Sequence, residues 1–457
     1  MQKIKSKESN DIRQQAVEIV RKLKREGFET YFVGGCVRDF IRGVAPDDYD
    51  IVTSAHPEQV MSIFPRTVTV GAKFGVIAVI IENHPYEVAT FRSDDAYVDG
   101  RRPSGIRFSS AREDVFRRDF TVNGLLMNPE TEEVIDYVNG LADIEKKIIR
   151  TIGDPDTRFN EDYLRLLRAV RFAANLDYEI EYATQEAIKN HTGKIKQISA
   201  ERLQEELNKI ATRAGARHGF ELLAETELLQ ELLPEVNQLR GVEQPPRFHP
   251  EGDVWLHTLI MFDLLPKNGE LAGNRQLAWS ALLHDVGKTV TRTEDEKGVH
   301  FYGHVQAGEE IAREILQRLR FSNADRDVVI ALIHYHMVFM NVQKMRKGRL
   351  KRFLGMPDFD LHLELHRLDC LASHGMLDNY DFCVHQLSHL DKEDLHPSRL
   401  LTGHDLIKIG LPPGKVMGEI LRALEDAQLE GAITSREQAE MFVRDNWPHG
   451  DEPRGKY

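Results

Sequence analysis

Gly34-Gly35-Cys36-Val37-Arg38-Asp39, with Asp48-Tyr49-Asp50 a short way downstream, is the stretch on which the fold turns. The apolar run Tyr31–Val33 before it predicts a strand, and the glycines open a helix predicted to run to about Gly43. Paired glycines at such a turn let backbone N–H groups approach an anion closely, and the helix start adds positive potential. If the following segment is extended, Asp48 and Asp50 point to the same side. Two such carboxylates repel each other unless a cation sits between them. A Mg²⁺ pair held this way can carry a triphosphate and lower the pKa of an attacking hydroxyl. Taken singly, the two features also read as a tight turn and an acidic turn.

Around this stretch, Ile12, Ala16, Ile19, Val20 and Leu23 recur at helical spacing over residues 12–26, with Gly27 as a stop signal. Short β-rich runs follow at Tyr31–Val33, Tyr49–Val52, Val76–Ile81 and Tyr86–Phe91, the last two joined by a turn expected at Asn83-His84-Pro85. From about Asn160 the pattern becomes helical, and no further sheet is expected. Breaks at Gly153-Asp154-Pro155, Gln244-Pro245-Pro246 and near Leu395-His396-Pro397 divide the chain. The expected organisation is an α+β head over 1–155, an all-α neck and body over 156–243, a histidine-rich domain over 247–390 and a helical tail over 391–450. Residues 451–457 read as a disordered end.

The 457 residues carry a net charge of −13, which excludes a protein that coats nucleic acid through bulk positive charge. A local groove is not excluded: residues 146–217 hold 14 Lys+Arg against 11 Asp+Glu. The longest strongly apolar run, Phe74 to Ile81, is far shorter than a membrane helix, and MQKIKSKESND is charged with no apolar core behind it, so neither membrane insertion nor secretion is expected. Three cysteines, Cys36, Cys370 and Cys383, none in a CxxC pair, fit neither a disulfide framework nor a thiolate zinc cluster. A cytoplasmic chain with reduced thiols is expected.

In combination the motifs are far more specific. The Gly-Gly turn, Asp48-Tyr49-Asp50, Glu87-Val88-Ala89-Thr90-Phe91-Arg92 and Arg117-Arg118-Asp119-Phe120-Thr121-Val122-Asn123 together resemble the class II tRNA nucleotidyltransferase and bacterial poly(A) polymerase family. The resemblance implies a polymerase-β-like head, Asp48 and Asp50 as catalytic Mg²⁺ ligands, and Gly34, Gly35 and Arg38 near the triphosphate. Glu87 would be a third acidic residue of the site. Arg117, Arg118 and Asp119 would meet the ribose and phosphates, with Asp119 or Asn123 reading the 2′-hydroxyl. Asn123-Gly124 stands where members usually carry Asn-Ala. Asp99-Gly100-Arg101-Arg102-Pro103 looks like the family's flexible loop, whose presence favours full CCA or terminal A addition.

Asp162 and Arg165 are spaced i, i+3, which predicts one helix face. A carboxylate accepts from the exocyclic amine of cytosine or adenine while a guanidinium donates to the ring nitrogen; uracil and guanine present the opposite pattern. An ordinary intrahelical ion pair has the same spacing. Glu161-Asp162-x-x-Arg165, with Arg168-Ala169-x-Arg171-Phe172 after it, resembles the family's templating helix, which implies base pairing by Asp162 and Arg165, with Glu161 orienting the arginine and Arg168 near the nucleotide.

Thirteen of the 19 histidines lie between His249 and His396. Imidazoles and carboxylates together are what a divalent-metal hydrolytic site needs. Leu282-Leu283-His284-Asp285-Val286-Gly287-Lys288, His304-x-x-x-Gly308 and Leu368-Asp369-Cys370 resemble HD-domain phosphohydrolases. The resemblance implies His257, His284, Asp285 and Asp369 as ligands of a divalent metal of unspecified identity. His304 and His334, or His336 in place of His334, would support a second metal or a phosphate.

The whole pattern implies an enzyme that adds C, C and A to the tRNA 3′ end from CTP and ATP, with no membrane or DNA partner and an open oligomeric state. An A-adding enzyme or a poly(A) polymerase of the same family is one alternative. An HD phosphohydrolase with an inactive head is the other.

Overall fold

The computed structural model describes residues 2–46, 48–71, 75–94, 105–247, 249–296 and 298–447. The loop at Asp99–Pro103, Phe74 of the apolar run and the segment 451–457 lie outside the described residues. Two compact units emerge, one formed by residues 1–237 with 318–321, the other by 238–317 with 322–457.

The first unit opens with α1 (Gln2–Arg25), whose Ala16, Ile19, Val20 and Leu23 are fully buried, as their helical spacing requires. Gly27 then takes a left-handed φ of 89°. In chain order follow β1 (Thr30–Val33), α2 (Gly35–Ile41), β2 (Ile51–Thr53), α3 (Pro57–Ile63), β3 (Thr67–Gly71), β4 (Val76–Ile81) and β5 (His84–Thr90). Next come β6 (Arg92–Asp94), β7 (Ile106–Phe108), α4 (Ala111–Phe116), β8 (Leu125–Met127), β9 (Val134–Asp136), α5 (Gly140–Glu145) and β10 (Ile148–Ile149). Seven strands form one mixed sheet in the order β3-β4-β5-β2-β1-β8-β9. Within it β2 and β5 are parallel and the other pairs antiparallel. Val33, Val52, Phe91, Ala111, Val115 and Leu126 make one core cluster beneath it.

The β4–β5 turn is Glu82-Asn83, both residues at positive φ (49° and 69°), while His84 pairs with Ile81 and so belongs to the strand. The turn expected at Asn83-His84-Pro85 is therefore shifted by a residue; a two-residue loop with both φ positive matches the twist of its strands better.

The helical part of this unit includes α6 (Pro155–Glu161), α7 (Leu164–Leu176), α8 (Tyr182–His191) and α9 (Ala200–Ala211). A two-residue strand, β11 (Glu179–Ile180), pairs in parallel with β10. The second unit is helical but holds a small antiparallel hairpin, Thr293–Asp295 with Gly298–His300. The expectation of no sheet after residue 160 is corrected by these two pairings, each too short to leave an alternation in the sequence. No helix among the described residues is long and apolar enough to cross a membrane.

Candidate active site

In the head, register brings the acidic residues together. Ile51 pairs with Val88 across the parallel β2–β5 ladder, so Asp50 and Glu87, each one residue earlier, are neighbours across the strands. Asp48 is exposed and Asp50 partly buried. Burial, then the charges of Asp48 and Glu87, push the Asp50 carboxyl up to about 6, with Arg118 opposing. Such an under-compensated trio favours a divalent cation, and its donors are the hard oxygens Mg²⁺ prefers. Gly34 sits at φ 77°, and a Cβ there would lie 3.6 Å from Arg118 Nη1 and 3.9 Å from Asp50 Oδ2. Those are ordinary contact distances, so it is the positive φ that calls for glycine at this turn, which lies beside the guanidinium and the carboxylate.

A polar network extends from this point. Arg38 is braced by Asp39 (2.9 and 3.0 Å) and donates to Asn123 Oδ1 at 2.7 Å. Asn123 Nδ2 donates to Asp119 Oδ1 at 3.3 Å, and Asp119 Oδ2 receives Arg168 Nε at 2.9 Å and Nη2 at 2.5 Å. Burial would raise the Asp119 carboxyl, but Arg168 and Arg165 outweigh it and hold it at about 2. Arg117 and Arg118 both bind Asp114, a fully buried carboxylate on α4. Sequence reading missed Asp114, although its i, i+3 and i, i+4 spacing to the two arginines was available as a signal. Gly124 has an explanation as well: a Cβ there would come within 2.9 Å of Ile152 Cδ1 and Val138 Cγ2, so neighbouring side chains already occupy a methyl's space.

The predicted shared helix face of Asp162 and Arg165 is corrected. Asp162 is extended (φ −148°, ψ 107°) between α6 and α7. Its side chain accepts from Leu164 N at 3.0 Å, and its carbonyl accepts from Arg165 N at 2.9 Å. A carboxylate that can bond the backbone N–H groups of an oncoming helix favours a cap over a helical position. Asp162 pairs with Arg202 on α9 (2.6 Å), a partner sequence reading did not identify. Arg165 donates to Glu161, to the Arg158 carbonyl at 3.0 Å and to the Arg117 carbonyl at 3.1 Å. Arg171 pairs with the buried Glu206 of α9 at 2.5 Å.

The second unit holds a separate cluster. His257, His284 and Asp369 place one ligand atom each within 4.8 Å of one another, and so do Asp285, His304 and His336. Nε2 of His257 and of His284 is buried without a well-formed hydrogen bond, each 3.2 Å from a carboxylate oxygen (Asp369 and Asp285), a donor set that fits a divalent metal. Their Nδ1 atoms are engaged, by Glu251 at 2.8 Å and by the Ala281 carbonyl at 3.1 Å, which fixes the ring orientation. Lys288 bridges Asp285 (2.6 Å) and Gln244 (2.7 Å). Of the two histidines considered after His304, His336 is the one in the cluster. His334 faces outward, bonded to Glu309 at 2.7 Å. Residues two apart on a helix point to nearly opposite sides, so only one could face the cluster. Gly287 lets the two segments meet: a Cβ on it would lie 2.1 Å from the His304 carbonyl and 2.5 Å from Gly308 N.

Residues 30–150 match the poly A polymerase head domain, 177–239 the probable RNA and SrmB binding site of polymerase A, and 254–371 the HD domain. A CCA-adding enzyme of Streptococcus thermophilus is 33% identical over 437 residues, covering 94% of this chain and 96% of its own length. The chain belongs to the CCA-adding enzyme family. Among further family members, that of Streptococcus mutans is 32% identical over 433 residues, covering 94% of this chain and 96% of its own. The crystal structure of the Bacillus stearothermophilus CCA-adding enzyme in complex with CTP matches with a TM-score of 0.72 and 28% identity, over 94% of this chain and 97% of that one.

Proposed function

We propose that this chain adds the CCA terminus to tRNA from CTP and ATP in the cytoplasm, with Asp48, Asp50 and Glu87 holding Mg²⁺ and Asp162 with Arg165 choosing the base. The observation that carries the reading is the polar chain Arg38–Asn123–Asp119–Arg168, which ties the helix after the Gly-Gly turn to the helix bearing Arg165. The tRNA 3′-hydroxyl oxygen bonds to the α-phosphorus of the nucleotide as its proton passes to solvent, the bond from that phosphorus to the bridging oxygen breaks, and pyrophosphate leaves with its electron pair. Held by Asp48, Asp50 and Glu87, Mg²⁺ would neutralise triphosphate charge and acidify the attacking hydroxyl. Gly34 and Gly35 give the phosphates access to backbone, while Arg38 and Arg118 neutralise them. Asp119 and Asn123, already fixed to each other, offer an acceptor to the ribose 2′-hydroxyl. Asp162 accepts from the exocyclic amine and Arg165 donates to the ring nitrogen, so one pocket serves C and A.

Incorporation of CTP and ATP, singly and together, into tRNA ending at the discriminator base, at C and at CC tests this. Three additions support it. Addition of A to the CC end alone identifies an A-adding enzyme, and tails on an unrelated RNA identify a poly(A) polymerase.

The buried ligand set of the second unit favours an accessory metal-dependent phosphohydrolase site. His257, His284, Asp285 and Asp369 would hold its metal, which would activate water for attack on a phosphate ester. Metal-dependent release from phosphodiester and phosphomonoester substrates, lost in His284→Ala, is the result expected.

A further inference from the structure

We infer that Asp114 is a specificity-determining positioning residue: a single buried carboxylate that fixes the distance between the phosphate-binding arginines and the base-reading Arg165. The inference rests on the nucleotidyl-transfer reading above.

The two oxygens of Asp114 are divided between two tasks. Oδ1 receives Arg117 Nε at 2.9 Å and Nη2 at 2.7 Å, together with the backbone N–H of Arg92 at 3.3 Å. Oδ2 receives Arg118 Nε at 3.3 Å and Nη2 at 3.1 Å. Arg118 thereby presents its remaining nitrogen, Nη1, beside Gly34 and Asp50. Arg117, fixed from its side chain, presents its carbonyl to Arg165 Nη2 at 3.1 Å. Arg165 is 8% exposed and its other anchors are the Arg158 carbonyl and Glu161, both from α6. The Arg117 carbonyl is therefore the hydrogen bond by which Arg165 itself meets the head, beside the Arg168–Asp119 pair on the same helix.

Asp114 is 0% exposed, so it has no room to touch a nucleotide, and its effect must pass through the arginines. Its charge is what two adjacent guanidiniums need. Without it they repel each other, and neither keeps the fork geometry that a phosphate or a carbonyl selects. A nucleotide is accepted when its base meets Asp162 and Arg165 while its triphosphate meets Arg118 and the Gly-Gly turn. If the span between those two ends loosens, a mismatched base can slide to a tolerable position without losing its phosphate contacts. Asp114 should therefore affect the choice between nucleotides more than the binding of any one of them.

The test uses full-length protein and tRNA lacking CCA, and measures kcat/KM for CTP and for UTP in the wild type and in Asp114→Asn. The expected result is a fall in CTP-over-UTP preference of about tenfold, the scale of one base-reading hydrogen-bond pair. An equal fall for both nucleotides, with the preference unchanged, overturns the inference and leaves Asp114 a structural clamp. If Asp114→Asn does not fold, Arg117→Gln removes the guanidinium from Oδ1, together with its bond to the Arg92 carbonyl (3.1 Å), and is judged by the same ratio. Absence of CTP incorporation by the wild type would refute the transfer reading itself, an outcome distinct from an unchanged ratio.

Discussion

The two candidate sites of this chain are built on opposite plans. In the second unit the ligand atoms already converge, buried, with their far sides held by Glu251, the Ala281 carbonyl and Lys288. In the head, one carboxylate is exposed, another partly buried, and the acidic trio is not among the groups whose ligand atoms lie within 4.8 Å of each other. What is hydrogen-bonded throughout there is the surrounding arginine and asparagine network. A hydrolytic centre acts on one bond at a fixed metal and benefits from a closed cage. A transfer site that must admit CTP, then ATP, and a growing 3′ end benefits from cations that arrive with the substrate, and from fixed rulers for phosphate and base.

The largest effects should separate the two sites completely. Asp50→Ala is expected to reduce nucleotide incorporation by about a thousandfold or more, since it removes charge stabilisation at the reacting phosphate. His284→Ala is expected to leave incorporation within about twofold while abolishing metal-dependent phosphohydrolysis. A His284→Ala protein that cannot extend tRNA would break the comparison, because it would make the two units one catalytic device.

Base choice is the next effect in size. Asp162→Ala should lower kcat/KM for CTP and ATP by about ten- to a hundredfold, with UTP and GTP falling far less, the signature of a lost base contact. Arg202→Ala, which frees Asp162 while leaving it in place, should alter the same ratio by less. Equal losses for all four nucleotides would show that Asp162 only caps α7.

How much of this was legible in the sequence follows from where the information sits. The Gly-Gly turn, the Asp48 and Asp50 pair, and the histidine-aspartate set are local patterns, and the strands around the first were readable within a few residues. Adjacency of Glu87 to Asp50 depends on strand register, which a one-residue slip would destroy, so the motif could suggest it but not derive it. The Asp162 misreading came from spacing without capping: i, i+3 describes a helix face only if both residues are helical. Choosing His336 over His334 likewise needed the phase of one helix, and Arg202 became visible only through its partner.

A pH measurement sharpens the contrast on the head's side. Asp119 has its carboxyl lowered from 3.8 to about 2 in the folded chain, so it binds its proton less readily there than when unfolded. Its contribution to stability is fully present above the ordinary carboxyl range and is lost as pH falls through about 2, worth about 2 kcal/mol at most. Asp119→Asn should therefore be less stable than the wild type at pH 6, and the gap should narrow as both are unfolded at progressively lower pH toward 2. A gap independent of pH would mean that Asp119 matters through shape and hydrogen bonding and not through its charge.

A last contrast sets the same added methyl group in the two units. At Gly287 an added Cβ meets backbone, the His304 carbonyl at 2.1 Å and Gly308 N at 2.5 Å, and neither can move without shifting the helix that begins at His304. At Gly124 the same Cβ meets only side-chain ends, Ile152 Cδ1 and Val138 Cγ2 at 2.9 Å and Val115 Cγ1 at 3.3 Å, and the backbone φ of −94° suits any residue. Side-chain ends can rotate or lean aside where main chain cannot. Gly287→Ala should therefore cost about 3 kcal/mol and weaken metal binding in the second unit. Gly124→Ala should cost about 1 kcal/mol or less and leave CTP and ATP addition intact, and Gly124→Ala combined with Ile152→Val should recover most of that cost. Denaturant unfolding of the three variants decides the point. A Gly124→Ala penalty as large as that of Gly287→Ala would show the head to be as tightly built beneath its nucleotide site as the second unit is around its histidines.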